Sequence, residues 1–293
     1  MASGQGIKGR IESVSNTRQI TKAMQLVAAS KLRKAQEAAT GPRAYLEATR
    51  TIVNELAMSN VSASSKLFAT NKAKHTLAIV ISSDRGLAGA YNSNVIKSIT
   101  KHLKEGSTKH KIISVGRYAS LFVTKINGAD DPYGLEEVDE IAAYSLSVAD
   151  ADSGLAQPIL KESIDLFTSG QVSEVYVIYT KFISTVKQET ITEKLLPLTP
   201  PEDKSASILE KTYEPNGEFL VDYVSKLYLE ASLTQFVLES IASEHASRML
   251  AMKNATDNAS DLIDDLTLAF NNARQAAITQ ELAEISAGAQ AIK

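Results

Sequence analysis

The chain has 293 residues, 44% of them apolar, a net charge of −3 and no cysteine. Near-neutral charge argues against a bulk nucleic-acid binder, and missing thiols exclude a disulfide framework and thiol chemistry, as in a reducing compartment. No run approaches eighteen consecutive apolar residues, so no spanning helix is expected. Met1–Arg10 lacks the apolar core of a secretory signal, so a cytoplasmic, unprocessed protein is expected.

Residues 10–40 contain neither Gly nor Pro. Ile7, Ile11 and Val14, then Ile20, Met24, Val27, Ala28, Leu32 and Ala35, form a broad apolar stripe that drifts out of strict heptad register. Gly41-Pro42 is expected to kink or break this helix, because Pro removes a hydrogen bond and clashes with the preceding turn. The pattern resumes with Tyr45, Leu46, Thr49, Ile52, Val53 and Leu56, and the Ser-rich run Ser59–Ser65 reads as a linker.

The middle of the chain changes character. His75–Ser82 (HTLAIVIS) is apolar on both faces, as in a buried parallel strand. Lys111–Val115 and Val172–Phe182 read as further strands, with helical spacing around Val95–Leu103, Tyr118–Lys125 and Leu155–Phe167. Alternating strands and helices predict an α/β layer domain with a parallel portion. Thr185–Leu196 alternates polar and apolar and should pair as a hairpin with the strand before it. Pro197–Pro201 and Tyr213–Gly217 punctuate the return to helix.

From Glu218 to Ala287 the chain runs seventy residues without Gly or Pro. An unbroken helix of that length extends about 105 Å, more than a small core can bury. Alternate steps of four and three from Val224 through Tyr228, Ala231 and Gln235 to Ala273 and Ala277 give thirteen apolar positions in sixteen. That is a coiled-coil seam. His245 on it reads as a register-setting polar residue. The fold class expected is therefore α/β plus a long antiparallel coiled coil. The N- and C-terminal helices form a stalk, and a central Rossmann-like α/β domain sits at its foot. The expected parts are 1–60 for the first helix, 61–217 for the globular domain with linkers, and 218–293 for the long last helix.

Catalytic signatures are absent. There is no G-x-x-x-x-G-K-[ST] or G-x-G-x-x-G, no nucleophile elbow, and His75, His102, His110 and His245 are scattered. The loop Ser82–Asn92 (SSDRGLAGAYN) could cradle a phosphate at a helix N-terminus. The plainer reading is a strand-to-helix turn in which Asp84 or Asn92 caps. Residues 1–34 carry Lys8, Arg10, Arg18, Lys22, Lys31, Arg33 and Lys34 against Glu12 alone, while Asp257, Asp261, Asp264 and Asp265 cluster without a base. These charges suit cross-helix pairs on a solvated face, or a basic stripe that meets an acidic partner.

Four segments together resemble one family, the gamma subunit of the F-type ATP synthase, of bacterial type. ITQELAEISAGAQA (278–291) fits the family signature at every specified position. SEHASRMLAMKNATDNASDLI (243–263), NTRQITKAMQLVAASKLRKAQ (16–36) and the loop SSDRGLAGAYN are also similar to it, with Ala88 and Ala90 where Cys and Gly are common. The resemblance implies a non-catalytic shaft without cofactor or metal. Its terminal helices would occupy the cavity of an alpha–beta hexamer. Its globular domain would sit on a membrane-embedded ring of c subunits beside the epsilon subunit, and proton flow would turn both ring and shaft.

By the same resemblance Arg274, Gln275 and Thr279 would hydrogen-bond a loop of the beta subunit. Lys22 and Met24 would face beta's acidic lever region. Tyr213 and Glu214 would lie at the foot near the c ring and epsilon. The protein would be peripheral, on the cytoplasmic face of the inner membrane. The alternative is a coiled-coil adaptor that binds nucleic acid through its basic first helix. A weaker third reading is a nucleotide-binding α/β enzyme that uses Ser82–Asn92.

Overall fold

The computed structural model describes residues 4–58, 62, 65–105, 109–128, 133, 135, 138–146, 154–199 and 217–291. Among these lie, in chain order, α1 (Gly4–Ala57), β1 (His75–Ile81), α2 (Tyr91–Glu105), β2 (Lys109–Val115) and α3 (Arg117–Ile126). Then follow β3 (Asp139–Tyr144), α4 (Ala156–Thr168), β4 (Val175–Phe182), β5 (Gln188–Leu196) and α5 (Gly217–Ala291). The chain forms two compact units, residues 1–28 with 248–293, and residues 29–247.

The second unit holds a five-stranded sheet of order β3-β2-β1-β4-β5. β1 lies parallel to both β2 and β4, and β2 lies parallel to β3. β5 returns antiparallel to β4, which is the hairpin that the alternating TVKQETITEKLL pattern predicts. Every β1 side chain from Thr76 to Ile81 is buried, as a two-sided apolar run requires. Ala78 and Val80 point to one face, where Ile112 and Ile178 join them beneath Val95, Ile99 and Leu103 of α2 and Phe122 and Val123 of α3. Each large side chain buried there stabilises the fold by about 1.5–3 kcal/mol. β3 escapes sequence reading because DEIAAY is short, opens with two acids and is mostly half-buried at the sheet's edge.

On β4 the ladder with β1 ends at Val80↔Ile178, leaving Thr180 open on that side. α5 fills the gap. The Thr180 N–H donates to Ser240 Oγ at 3.2 Å, and Ser243 Oγ donates to the Thr180 carbonyl at 3.0 Å. Phe236, one turn earlier, stacks on Tyr179 with ring centroids 4.3 Å apart. Both serines are fully buried, so their small size permits the approach and their hydroxyls replace the missing ladder bonds. Ser240→Ala or Ser243→Ala should each cost about 1–3 kcal/mol, the penalty of an orphaned buried backbone group. Urea unfolding of the isolated chain reads this, and a loss under about 0.5 kcal/mol, the ordinary range of an uninvolved position, would refute the assignment.

α1 corrects two expectations. It continues through Gly41-Pro42 without a break. The carbonyl that Pro42 leaves unbonded belongs to Ala38, an exposed residue that water can serve, while Ala39, Thr49, Val53 and Leu56 are buried around it. An interior Pro costs about 3 kcal/mol, which the burial of this face offsets. The helix also does not drift. Alternate steps of four and three from Ile7 through Ile11, Val14, Arg18, Thr21, Gln25, Ala28, Leu32, Ala35, Ala39, Pro42, Leu46, Thr49 and Val53 to Leu56 meet no exposed residue. Ile20, Val27, Tyr45 and Ile52, expected on the stripe, are exposed.

Within the second unit, Arg43 faces Glu239 at 4.0 Å and Ser65 Oγ donates to Asp222. Residue numbers rise on one strand of this pairing and fall on the other, so the two chain ends run antiparallel there. The Gln235 side chain donates to Glu239 at 2.9 Å, giving that nearly buried carboxylate a second partner. Within the first unit, the Thr256 hydroxyl lies 2.8 Å from that of Thr21, which itself donates to the Arg18 carbonyl.

Candidate functional site

The α5 seam keeps Val224 to Ala273 buried or half-buried, and only Ala277, its last position, is exposed. From Arg274 to Gly288 every side chain is exposed. Ile278, Leu282 and Ile285 stand four and then three residues apart, so they share one face, and Ile285 is 68% exposed. Single exposed apolar residues are ordinary, whereas these three form one exposed apolar stripe on a helix that has left its seam.

Three residues expected to act in binding lie here. Thr279 Oγ donates back to the Gln275 carbonyl at 2.9 Å, so its hydroxyl remains able to accept. Arg274 has Phe270, Asn271, Ala277 and Ile278 at helical neighbour positions, and among the described residues no carboxylate lies within ion-pair distance of it. Pairing with Glu281 on a solvated face is thus not what the helix provides. The guanidinium donors are thus not taken by a carboxylate among the described residues.

A second patch lies on α1. Its seam positions Arg18, Thr21 and Gln25 are polar, while Ile20, Leu26 and Val27 face outward, Ile20 at 61% exposure. The ordinary pattern of an amphipathic helix is inverted here. Met24 is half-buried beside this patch, and the exposed Lys22 reaches Gln25 Oε1 at 3.3 Å. Thr21 meets Thr256, eighteen residues before Arg274, so about 27 Å of helix separates the Lys22–Met24 patch from the Arg274 group. The structure forms two patches, not one site. The sequence puts Ile20 and Val27 on its broad apolar stripe, whereas the strict heptad from Ile7 leaves both outside the seam. Tyr213 and Glu214 lie outside the described residues.

In the loop Ser82–Asn92 the side chains of Ser82, Ser83, Asp84 and Asn92 bond within the protein. Asn92 pairs with the Ser83 hydroxyl and backbone amide, so it does not cap α2. Asp84 instead accepts from the Arg117 amide at the start of α3 at 2.8 Å and from the Leu146 amide at 2.9 Å. Ser82 Oγ donates to the Val115 carbonyl and accepts from the Ala119 amide. The expected capping is corrected accordingly: these side chains tie the loop to β2, α3 and the residue that follows β3 by two. The expected ion pairs between residues 8–34 and Asp257–Asp265 are not found among the described residues. Those bases stay mostly exposed.

Among the described residues no helix is long and apolar enough to cross a membrane, and no group of acidic or imidazole side chains is placed to hold a metal. The ATP synthase family model matches residues 3–292. The ATP synthase gamma chain of Polaromonas naphthalenivorans (strain CJ2) is 39% identical over 300 residues, covering 100% of both chains. That of Pelotomaculum thermopropionicum is 38% identical over 296 residues, again with 100% of both. Among solved structures, a chain of the Euglena gracilis mitochondrial ATP synthase rotor superposes with TM-score 0.63 at 16% identity, covering 94% of this chain and 98% of that one. A chain of the Tetrahymena thermophila mitochondrial ATP synthase central stalk and c-ring gives TM-score 0.57 at 24% identity, covering 80% of this chain and 99% of that one. Matched along its length by the family model and by gamma chains at 38–39% identity, the chain belongs to the ATP synthase family, among its gamma chains.

Proposed function

We propose that this chain is the central-stalk rotor shaft of an F-type ATP synthase. It couples ion flow through a ring of c subunits to ATP synthesis and hydrolysis in an alpha–beta hexamer, with no chemistry of its own. The carrying observation is the bare helix end: the seam finishes at Ala273 while α5 continues to Ala291, eighteen residues or about 27 Å further. A protruding single helix with an apolar stripe suits an apolar sleeve in which it turns. The asymmetry of one helix outrunning the other is what would let rotation present different faces to successive catalytic sites.

In this reading Arg274, Gln275 and Thr279 hydrogen-bond a loop of the beta subunit, and Lys22 and Met24 meet its acidic lever region. Tyr213 and Glu214 contact epsilon and the c ring. Residues 1–60 and 218–293 make the shaft and 61–217 the globular foot, at the cytoplasmic face of the inner membrane. Free donors at Arg274 and the exposed Lys22, which has no carboxylate within ion-pair distance among the described residues, support these assignments. Full-length kinship to gamma chains leaves the nucleic-acid adaptor and the nucleotide-binding enzyme without support.

The purified chain alone should show no ATP hydrolysis, which should appear when alpha and beta are added. Arg274→Ala should leave the isolated chain's unfolding midpoint unchanged and lower ATP-driven ion pumping by about tenfold, as loss of a charged hydrogen bond of roughly 1.4 kcal/mol would. Undiminished pumping would remove Arg274 from the beta contact.

A further inference from the structure

Away from both shaft patches, a cavity of about 590 Å³ opens between α2 and β5 in the second unit. Its lining is cationic and hydroxylic: Lys97, Ser98, Lys101, His102, Thr190 and Thr192, with Glu105 as its one acid. We propose that this cavity binds a small phosphate-bearing anion, its oxygens held by Lys97, Lys101 and the hydroxyls of Ser98 and Thr192.

Charge favours an anion. Glu105 lies 3.8 Å from the Lys101 ammonium, both side chains being mostly exposed, so this pair holds Lys101 weakly. Lys97 has no carboxylate within ion-pair distance among the described residues. The two lysines stand one helical turn apart, a span of about 6 Å, which suits an oxyanion with several acceptors better than a single halide. The volume falls within the roughly 300–1,000 Å³ of small-molecule sites.

The hydroxyls are underused. Ser98 Oγ and Thr192 Oγ lie 3.4 Å apart, beyond the usual 2.5–3.0 Å of a hydroxyl pair, so each retains capacity for a closer partner. Thr190 is already engaged with Thr180 at 3.2 Å. His102 adds a third observation: its Nε2 is buried without a hydrogen-bond partner, while its ring packs edge-on against Tyr176 at 4.7 Å. Burial holds this imidazole below its ordinary pKa, against the opposing pull of Glu105 and Glu174.

Two features set where the anion sits. The carbonyl end of α2 repels negative charge within its last turn, so Glu105's end of the cavity is disfavoured. Lys97 and Ser98 lie about two turns from that end, beside Thr192. On the opposite flank of α2 a second cavity, about 470 Å³, shares Lys97, Lys101 and Glu105 and adds Lys104, but its other lining is Ile96, Tyr133 and Thr100, whose hydroxyl is spent on the Ile96 carbonyl at 2.7 Å. The β5 side places the hydroxyls of Ser98, Thr190 and Thr192 beside Lys97 and Lys101.

Amide and histidine-ring NMR on the full-length chain tests this, with inorganic phosphate, ATP and sodium chloride titrated at matched ionic strength. The expected result is saturable shifts confined to Lys97–His102 and Thr190–Thr192, with phosphate or ATP but not chloride. The His102 titration midpoint should rise on binding, since a nearby anion favours the imidazolium. A response to inorganic phosphate identifies the free ion, and a response to ATP alone identifies a nucleotide's phosphoryl groups. Lys97→Ala and Thr192→Val should each weaken binding about tenfold, whereas Lys187→Ala at the β4–β5 turn should leave it unchanged. Shifts no larger than with chloride, or equal weakening by Lys187→Ala, would overturn the assignment.

Discussion

Gly116→Ala should destabilise the isolated chain by about 3–5 kcal/mol, enough to remove a large part of the stability of an ordinary domain. Gly116 sits between β2 and α3 at φ 91°, ψ 146°, a region that side-chain-bearing residues essentially do not enter. Space is lacking as well as conformation. A Cβ there would collide with the Ser82 carbonyl and side chain. Neither can retreat, because the Ser82 amide bonds the Val115 carbonyl at 2.7 Å and the Ser82 hydroxyl holds the Ala119 amide at 2.8 Å. The Gly116 amide meanwhile bonds the Tyr144 carbonyl at 2.7 Å, so the residue pins β1, β2 and β3 at one corner. Urea unfolding of the alanine variant measures the loss. A change below about 1 kcal/mol, the size of an average point substitution, would show that the corner relaxes freely.

The second large effect falls on assembly instead of folding. Replacing Ile278, Leu282 and Ile285 together by Asp should move the unfolding midpoint of the isolated chain little, since all three are exposed and exposed positions change stability by about 0.5 kcal/mol or less. Inside an apolar sleeve the same three carboxylates would each meet desolvation of several kcal/mol. Reconstitution with alpha and beta should then fail, or give a complex whose hydrolysis no longer drives ion pumping. Wild-type assembly and pumping by the triple variant would mean that this stripe is not enclosed.

The sequence announces most of the fold because its signals are long or two-sided. An uninterrupted seam from Val224 to Ala273 survives any local ambiguity, and HTLAIVIS can hardly be anything but a central strand. β3 is illegible for the opposite reason, since a six-residue edge strand with one exposed face leaves little periodicity. Pro42 misleads because local propensity was weighed without the burial of Ala39, Thr49, Val53 and Leu56, which overrides it. The α1 patch is illegible for a subtler reason. Apolar residues at 20 and 27 and polar ones at 18, 21 and 25 invite the assumption that apolar means inward, and only the register of the whole helix shows otherwise. Arg274, Gln275 and Thr279 became candidates through resemblance to a family, since an exposed Arg on a helix carries no signal of its own.

The way α5 fastens to β4 has an evolutionary corollary. Ser240 and Ser243 grip the main chain of Thr180, which every amino acid but proline supplies in full. Position 180 is therefore held from the helix side only through its main chain, while its own hydroxyl answers to Thr190 across the hairpin, whereas positions 240 and 243 must each keep a short hydroxyl. Drift across such a joint should be lopsided, with variability collecting on the strand and constraint on the helix.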